Sequence, residues 1–143
     1  DSWIGALDEA DYREFVLPHV RRIFDAIGDL DVPKIHFGTG TGHLLAAQRE
    51  AGGTVIGVDW RTPLDEGWRR AGEGVAVQGN LDPTLLFAPR ERLLARVDDV
   101  LRRAGGRPGH VFNLGHGILP GTPVDAVRAV VDHVHAKGSG LES

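Results

Sequence analysis

Apolar residues recur along this chain in two rhythms. Between Asp8 and Asp29, Tyr12, Phe15, Val16, Val20, Ile23, Phe24 and Ile27 fall near one face of a 3.6-residue period, which predicts a helix that Asp8 can cap. Pro18 interrupts that helix. Proline has no N–H to donate and clashes with the preceding turn, so either the helix kinks there or two shorter helices meet. From Lys34 onward the rhythm changes to short apolar runs, each followed by a glycine or polar turn and then a helical stretch. The predicted strands are 34–38, 54–59, 74–78 and 110–114; the predicted helices are 42–51, 63–71, 89–104 and 123–137. Runs this short and apolar suit parallel strands buried on both faces. Pro63, Pro89 and Pro123 open three of the helices, and Thr62 and Thr122 precede two of them, the pairing expected of an N-cap hydroxyl and a proline at the first helical position. Gly52-Gly53, Gly72 and Gly105-Gly106 lie just past helix ends, where a left-handed residue closes the last turn.

Strands alternating with helices imply an α/β fold with a parallel sheet and right-handed crossovers. Spacing alone leaves open a doubly wound sheet or part of a (β/α)8 TIM barrel. A whole barrel takes about 250 residues. Four βα units in 143 residues therefore match half of one. The division expected is a folded body over 1–136 and a flexible tail or linker over 137–143, KGSGLES, whose composition is that of a linker.

Composition narrows the function classes. An apolar fraction of 41% is enough for a core, and a net charge of −4 argues against general nucleic-acid binding. The absence of cysteine removes disulfides and thiolate zinc sites. No apolar run approaches the roughly 18 residues of a membrane span. The chain also lacks methionine and opens at Asp1 inside what reads as a motif, so a fragment is expected.

Two segments suggest chemistry. In IHFGTGTGHLLAAQREAGGTVIGVDW, a strand leads into Gly38, Gly40 and Gly42, a helix follows, and a second strand ends at Asp59. A nucleotide or S-adenosylmethionine site has this layout, with glycines at the phosphate or methionine moiety and the acid on a ribose. The third glycine of the dinucleotide fingerprint is missing, and glycines also serve any tight strand-to-helix turn. The second segment is VFNLGHGILPGTP, residues 111–123, in which His116 stands between Gly115 and Gly117 at a strand end. With no neighbouring side chains it is placed to meet a ligand; it can equally be a turn residue.

NLGHGILP, taken with GVDW (57–60) and QGNLDP (78–83), resembles the uroporphyrinogen decarboxylase family. These motifs occur in the family's order, and the opening DSWIGAL resembles its F-D-S/T-W segment without the phenylalanine. The resemblance spans residues 1–135; Gly121 departs from it, standing where many members carry an acid. It implies the C-terminal half of a TIM barrel from a cytoplasmic carboxy-lyase of haem biosynthesis. That enzyme removes carbon dioxide from the four acetate arms of uroporphyrinogen to give coproporphyrinogen, without metal or organic cofactor. Ser2 and His116 carry over as substrate-binding positions. The family's catalytic aspartate and arginine-rich loop fall upstream, so the chain alone is expected to be inactive. Exposed parallel edges should drive it to form a homodimer or to dock on a complementary N-terminal half. The alternatives are an inactive, self-associating half barrel and the nucleotide-binding domain that uses Gly38–Gly42 and Asp59. Methyl-transferring barrels of the superfamily are a further option, but they resemble zinc thiolate enzymes and this chain has no cysteine.

The remaining polar residues take structural readings. His36 lies in a strand, His110 at a strand start, His43 near a helix start, and His19, His133 and His135 on helices. Asp59 is expected first to cap the turn after its strand, and Asn80 and Asp82 to hydrogen-bond within theirs. Trp60 and Trp68 are expected to pack, and Arg69-Arg70 to lie on a solvated helix face.

Overall fold

The computed structural model describes residues 3–138. Four short strands form where expected: β1 (Ile35–Phe37), β2 (Val55–Gly57), β3 (Ala76–Leu81) and β4 (His110–Leu114). They pair in parallel in the sequential order β1-β2-β3-β4. A doubly wound sheet reverses its strand order at a switch point; this one does not. The helices after the strands are α3 (Leu45–Ala51), α4 (Leu64–Ala71), α5 (Arg90–Ala104) and α6 (Val124–Gly138), and each packs on the next in the same order. Four βα units turning one way form half of a (β/α)8 barrel.

Register separates the two faces of the sheet. His36, Ile56, Val77 and His110 are aligned partners, and Ile56 and Val77 are fully buried in the helix-side core with Leu64, Trp68, Leu93 and Val97. Burying one such aliphatic side chain stabilises the fold by about 1.5–3 kcal/mol. The opposite, inner face carries Ile35 on β1 and Val111 on β4, which stay 48% and 44% exposed. Trp68 packs as expected, its indole N–H donating to the Val75 carbonyl at 3.0 Å.

Before the sheet, Ile4–Ala6 forms a 3₁₀ turn, then α1 (Glu9–Asp11), a π-helical segment Tyr12–Val16 and α2 (Leu17–Ala26) run on as one rod. Asp8 caps it, accepting from the Asp11 N–H at 2.8 Å. Pro18 neither breaks the rod nor splits it. The turn before it widens, with Leu17 N–H bonding to the Tyr12 carbonyl, and the wider ring relieves the clash of the pyrrolidine. One extra residue per turn rotates everything beyond it by about 100°. The single apolar stripe is therefore divided: Tyr12, Val16, Leu17 and Val20 pack inward, while Phe15 and Ile23 face solvent.

The helix starts are displaced by one residue from the expected positions. Pro63 and Pro89 have extended ψ values of 137° and 142° and are themselves the N-caps, their carbonyls accepting the first helical bonds from Gly67 and Leu93. The Thr122 hydroxyl bonds back to the Leu119 carbonyl and caps no helix. Helix α3 starts at Leu45, three residues later than the glycine pattern suggests, because Thr41 and Leu44 are tied in a preceding turn. A 3₁₀ turn, Pro83–Phe87, follows β3 where only a polar turn was expected.

Two histidines are structural, as read from the sequence. His36 Nδ1 donates to the Gln48 carbonyl at 2.9 Å, and His110 Nε2 donates to the Gly79 carbonyl at 2.8 Å. Burial pushes both imidazoles below their ordinary 6.5. The unfolded chain thus binds more protons than the folded one just below pH 6.5. Their contribution to stability is complete above that pH and is lost as pH falls through the lowered folded values. Thermal unfolding should show a lower midpoint at pH 5.5 than at 7.5. The double variant His36→Asn, His110→Gln, which keeps a donor at each position without a titrating ring, should flatten that dependence; an unchanged slope would exclude these two rings as its source.

Candidate functional site

The C-terminal ends of the strands converge on one set of side chains. Asp59, just beyond β2, is 2% exposed and is the hub. Its Oδ2 accepts from the Gly40 N–H of the β1 turn at 2.6 Å and from the Arg61 guanidinium at 2.7 Å, and its Oδ1 accepts from the Arg61 N–H at 3.1 Å. Asn80, at the end of β3, donates through Nδ2 to the Asp59 carbonyl at 2.9 Å and to the Thr62 carbonyl at 2.6 Å. Asp82 caps the following turn, accepting from the Thr84 N–H at 2.8 Å and the Thr84 hydroxyl at 2.7 Å. Asp59 and Asp82 thus take the turn roles expected of them, whereas Asn80 reaches out of its own turn to the β2 loop; Asp59 and Asn80 together join the ends of β1, β2 and β3.

His116 completes the rim from β4. The Gly115 N–H donates to the Leu81 carbonyl at 2.7 Å, which continues the β3–β4 pairing by one residue and sets where the next side chain emerges. His116 is solvent-exposed. Its ring meets Trp60 edge-on, with centroids 6.0 Å apart and planes at 78°. Trp60 is therefore more than packing. Its other neighbour is the Arg61 guanidinium, 3.9 Å from the ring centroid. Arg61 is the member of this group that sequence reasoning missed; the available signal was a cation directly after the Asp-Trp pair at a strand end. Ser2 lies outside the described residues, as do residues 139–143 of the expected tail.

The glycine turn is closed to a nucleotide. A Cβ on Gly5 would lie 2.3 Å from the Thr39 carbonyl oxygen, so the first segment covers the turn directly. Thr41 Oγ1 donates to the Gly38 carbonyl at 2.9 Å, and the Asp59 carboxylate that would hold a ribose is already engaged by three donors. The Gly38–Gly42 and Asp59 alternative is corrected accordingly: these residues brace the loop ends. Among the described residues no group of three or more His, Cys, Asp or Glu side chains is placed to hold a metal ion, and no helix is long and apolar enough to cross a membrane.

The other histidines have local partners. His43 Nε2 donates to the Leu7 carbonyl at 2.8 Å, His19 meets Arg22 at 2.6 Å, and His133 on α6 meets Asp98 on α5 at 2.8 Å. Arg69 and Arg70 both pair with Glu66 on the outer face of α4.

Comparison with known proteins accounts for nearly the whole chain. A family model described as uroporphyrinogen decarboxylase (URO-D) matches residues 1–137. A uroporphyrinogen decarboxylase of Sorangium cellulosum (strain So ce56) is 64% identical over 136 residues, covering 95% of this chain and 39% of the relative. One from Streptomyces coelicolor is 56% identical over 137 residues, covering 96% and 39%. The chain thus spans about two fifths of the length of the curated relatives it matches. Among solved structures, a methyltransferase from Methanosarcina mazei superposes with a TM-score of 0.77 at 20% identity, over 92% of this chain and 38% of that one. That likeness concerns the fold alone.

Proposed function

We propose that this chain, which belongs to the uroporphyrinogen decarboxylase family, supplies one wall of a cofactor-free decarboxylase site for uroporphyrinogen. The observation that carries this reading is His116, held out between two glycines at the end of β4 and set against Trp60. Active-site groups of barrel enzymes stand at the C-terminal ends of strands.

Loss of carbon dioxide from a pyrrole acetate leaves an electron pair that a protonated pyrrole can receive. The sequence is ring protonation, C–C cleavage and protonation of the methylene carbon. A site for it needs acids, cations for the remaining carboxylates and an acceptor for the pyrrole N–H groups. His116 donates to a substrate carboxylate, and its imidazole can pass a proton to the substrate. Ser2, with one donor and two lone pairs, engages a second carboxylate. The acceptor and most of the cations come from the family's N-terminal segment, which also covers the inner face that leaves Ile35 and Val111 half exposed.

The body over 1–136 therefore acts as a half barrel that associates with a complementary half or with a second copy of itself, in the cytoplasm. The test replaces the matched region of the Sorangium cellulosum relative with this chain. The chimera should convert uroporphyrinogen to coproporphyrinogen, followed by chromatography of the oxidised porphyrins, whereas the chain alone should associate in light scattering and turn over nothing. A folded chimera without activity, beside an active parent, would sink the proposal.

A further inference from the structure

We infer that Arg61 is a second substrate-binding residue of this wall, its guanidinium gripping a carboxylate of the tetrapyrrole beside His116; this rests on the decarboxylase reading above. An arginine that serves only to neutralise a buried acid is ordinarily drawn in with it. Arg61 is not: Asp59 is 1% exposed at its side chain and Arg61 is 53% exposed. The pair is lopsided in hydrogen bonding as well. The Asp59 carboxylate is met by two backbone N–H groups besides the guanidinium. The guanidinium gives one N–H, from Nη1, to Asp59, and none of its other donors has a partner among the described residues. An arginine presents five donors in a rigid fork, so one edge can stay anchored while another takes a planar carboxylate.

Position and stiffness favour a ligand there. The guanidinium lies 3.9 Å from a ring centroid of Trp60, and His116 meets the same indole edge-on at 6.0 Å, so cation and imidazole border one side chain. A porphyrinogen periphery carries carboxylates on adjacent ring positions and can use both. Stacking on Trp60 and the bond to Asp59 restrict the side chain before any ligand arrives, which reduces the ordering lost on binding.

The experiment compares the chimera described above with its Arg61→Gln and Arg61→Lys variants. Glutamine keeps a donor for Asp59 and covers part of the indole but removes the charge. KM for uroporphyrinogen should rise roughly 10- to 100-fold in Arg61→Gln, the range of a lost charge-assisted hydrogen bond, while kcat changes much less. Lysine should recover part of the loss, and the gap between wild type and Arg61→Gln should narrow in high salt as the charge is screened. An Arg61→Gln chimera that is folded and keeps its KM overturns the inference and leaves the guanidinium a partner of Asp59 alone. Equilibrium binding of uroporphyrin is measured in parallel. A wild-type chimera that binds this octacarboxylate without turnover fails the decarboxylase reading but still tests Arg61 through Kd; one that neither binds nor turns over, beside an active parent, overturns both.

Discussion

Asp59→Ala should lower the unfolding free energy by about 3 kcal/mol, the lower part of the range for breaking a buried ion pair, because Arg61 remains half in water and recovers some hydration. Three donors lose their acceptor at once: the N–H of Gly40, the N–H of Arg61 and the Arg61 guanidinium. An unmet buried donor costs about 1–3 kcal/mol. The damage should be local as well as global, since Gly40 belongs to the β1 turn and Arg61 to the β2 loop. Faster amide exchange is expected at Gly40 and Arg61, with much less change at Leu93 or Val97 on α5. Asp59→Asn should fall between, because one amide oxygen can still accept while the amide nitrogen presents hydrogens to a donor. Chemical denaturation is the measurement; a loss below about 1 kcal/mol for Asp59→Ala would mean that the strand ends are held by backbone packing and not by this carboxylate.

The same hub explains which parts of the site were legible in the sequence. Strand and helix identity followed from period and punctuation, so all four strands and the four later helices were predicted within a few residues. Asp59 and Asp82 are readable as turn acceptors because a carboxylate beside a strand end meets the N–H groups of its own turn, whereas the bonds of Asn80 are not, since its partners lie on another loop. Two kinds of feature were hidden. The π turn ahead of Pro18 is a compromise between proline geometry and burial of Tyr12 and Leu17, and no apolar periodicity announces the extra residue. Arg61 is not legible in the sequence, because its surroundings depend on the fold placing Trp60 between it and His116, two segments far apart in sequence. The glycine turn misled for a related reason. A run of glycines reports close approach, and here the approaching backbone is the chain's own Gly5 and not a phosphate.

Close approach also decides Gly115, the residue that delivers His116. A Cβ built on Gly115 would lie 2.4 Å from the Trp60 backbone nitrogen, 2.9 Å from its Cβ and 3.0 Å from its Cα. Nothing in that set is a side-chain tip that can swing away. On the other side the Gly115 N–H is pinned to the Leu81 carbonyl at 2.7 Å, so β4 cannot retreat without giving up that bond. Gly115→Ala should therefore cost about 3 kcal/mol, the upper end of ordinary overpacking, and shift the His116 imidazole resonances as its contact with Trp60 opens. Gly117→Ala is the internal control. A Cβ there meets nothing within 4 Å, so its stability should stay within about 0.5 kcal/mol of wild type. If both alanine variants unfold alike, the flanking glycines serve general loop freedom; if Gly115→Ala alone is destabilised, the first glycine is there to let the Trp60 backbone touch the strand that carries the histidine.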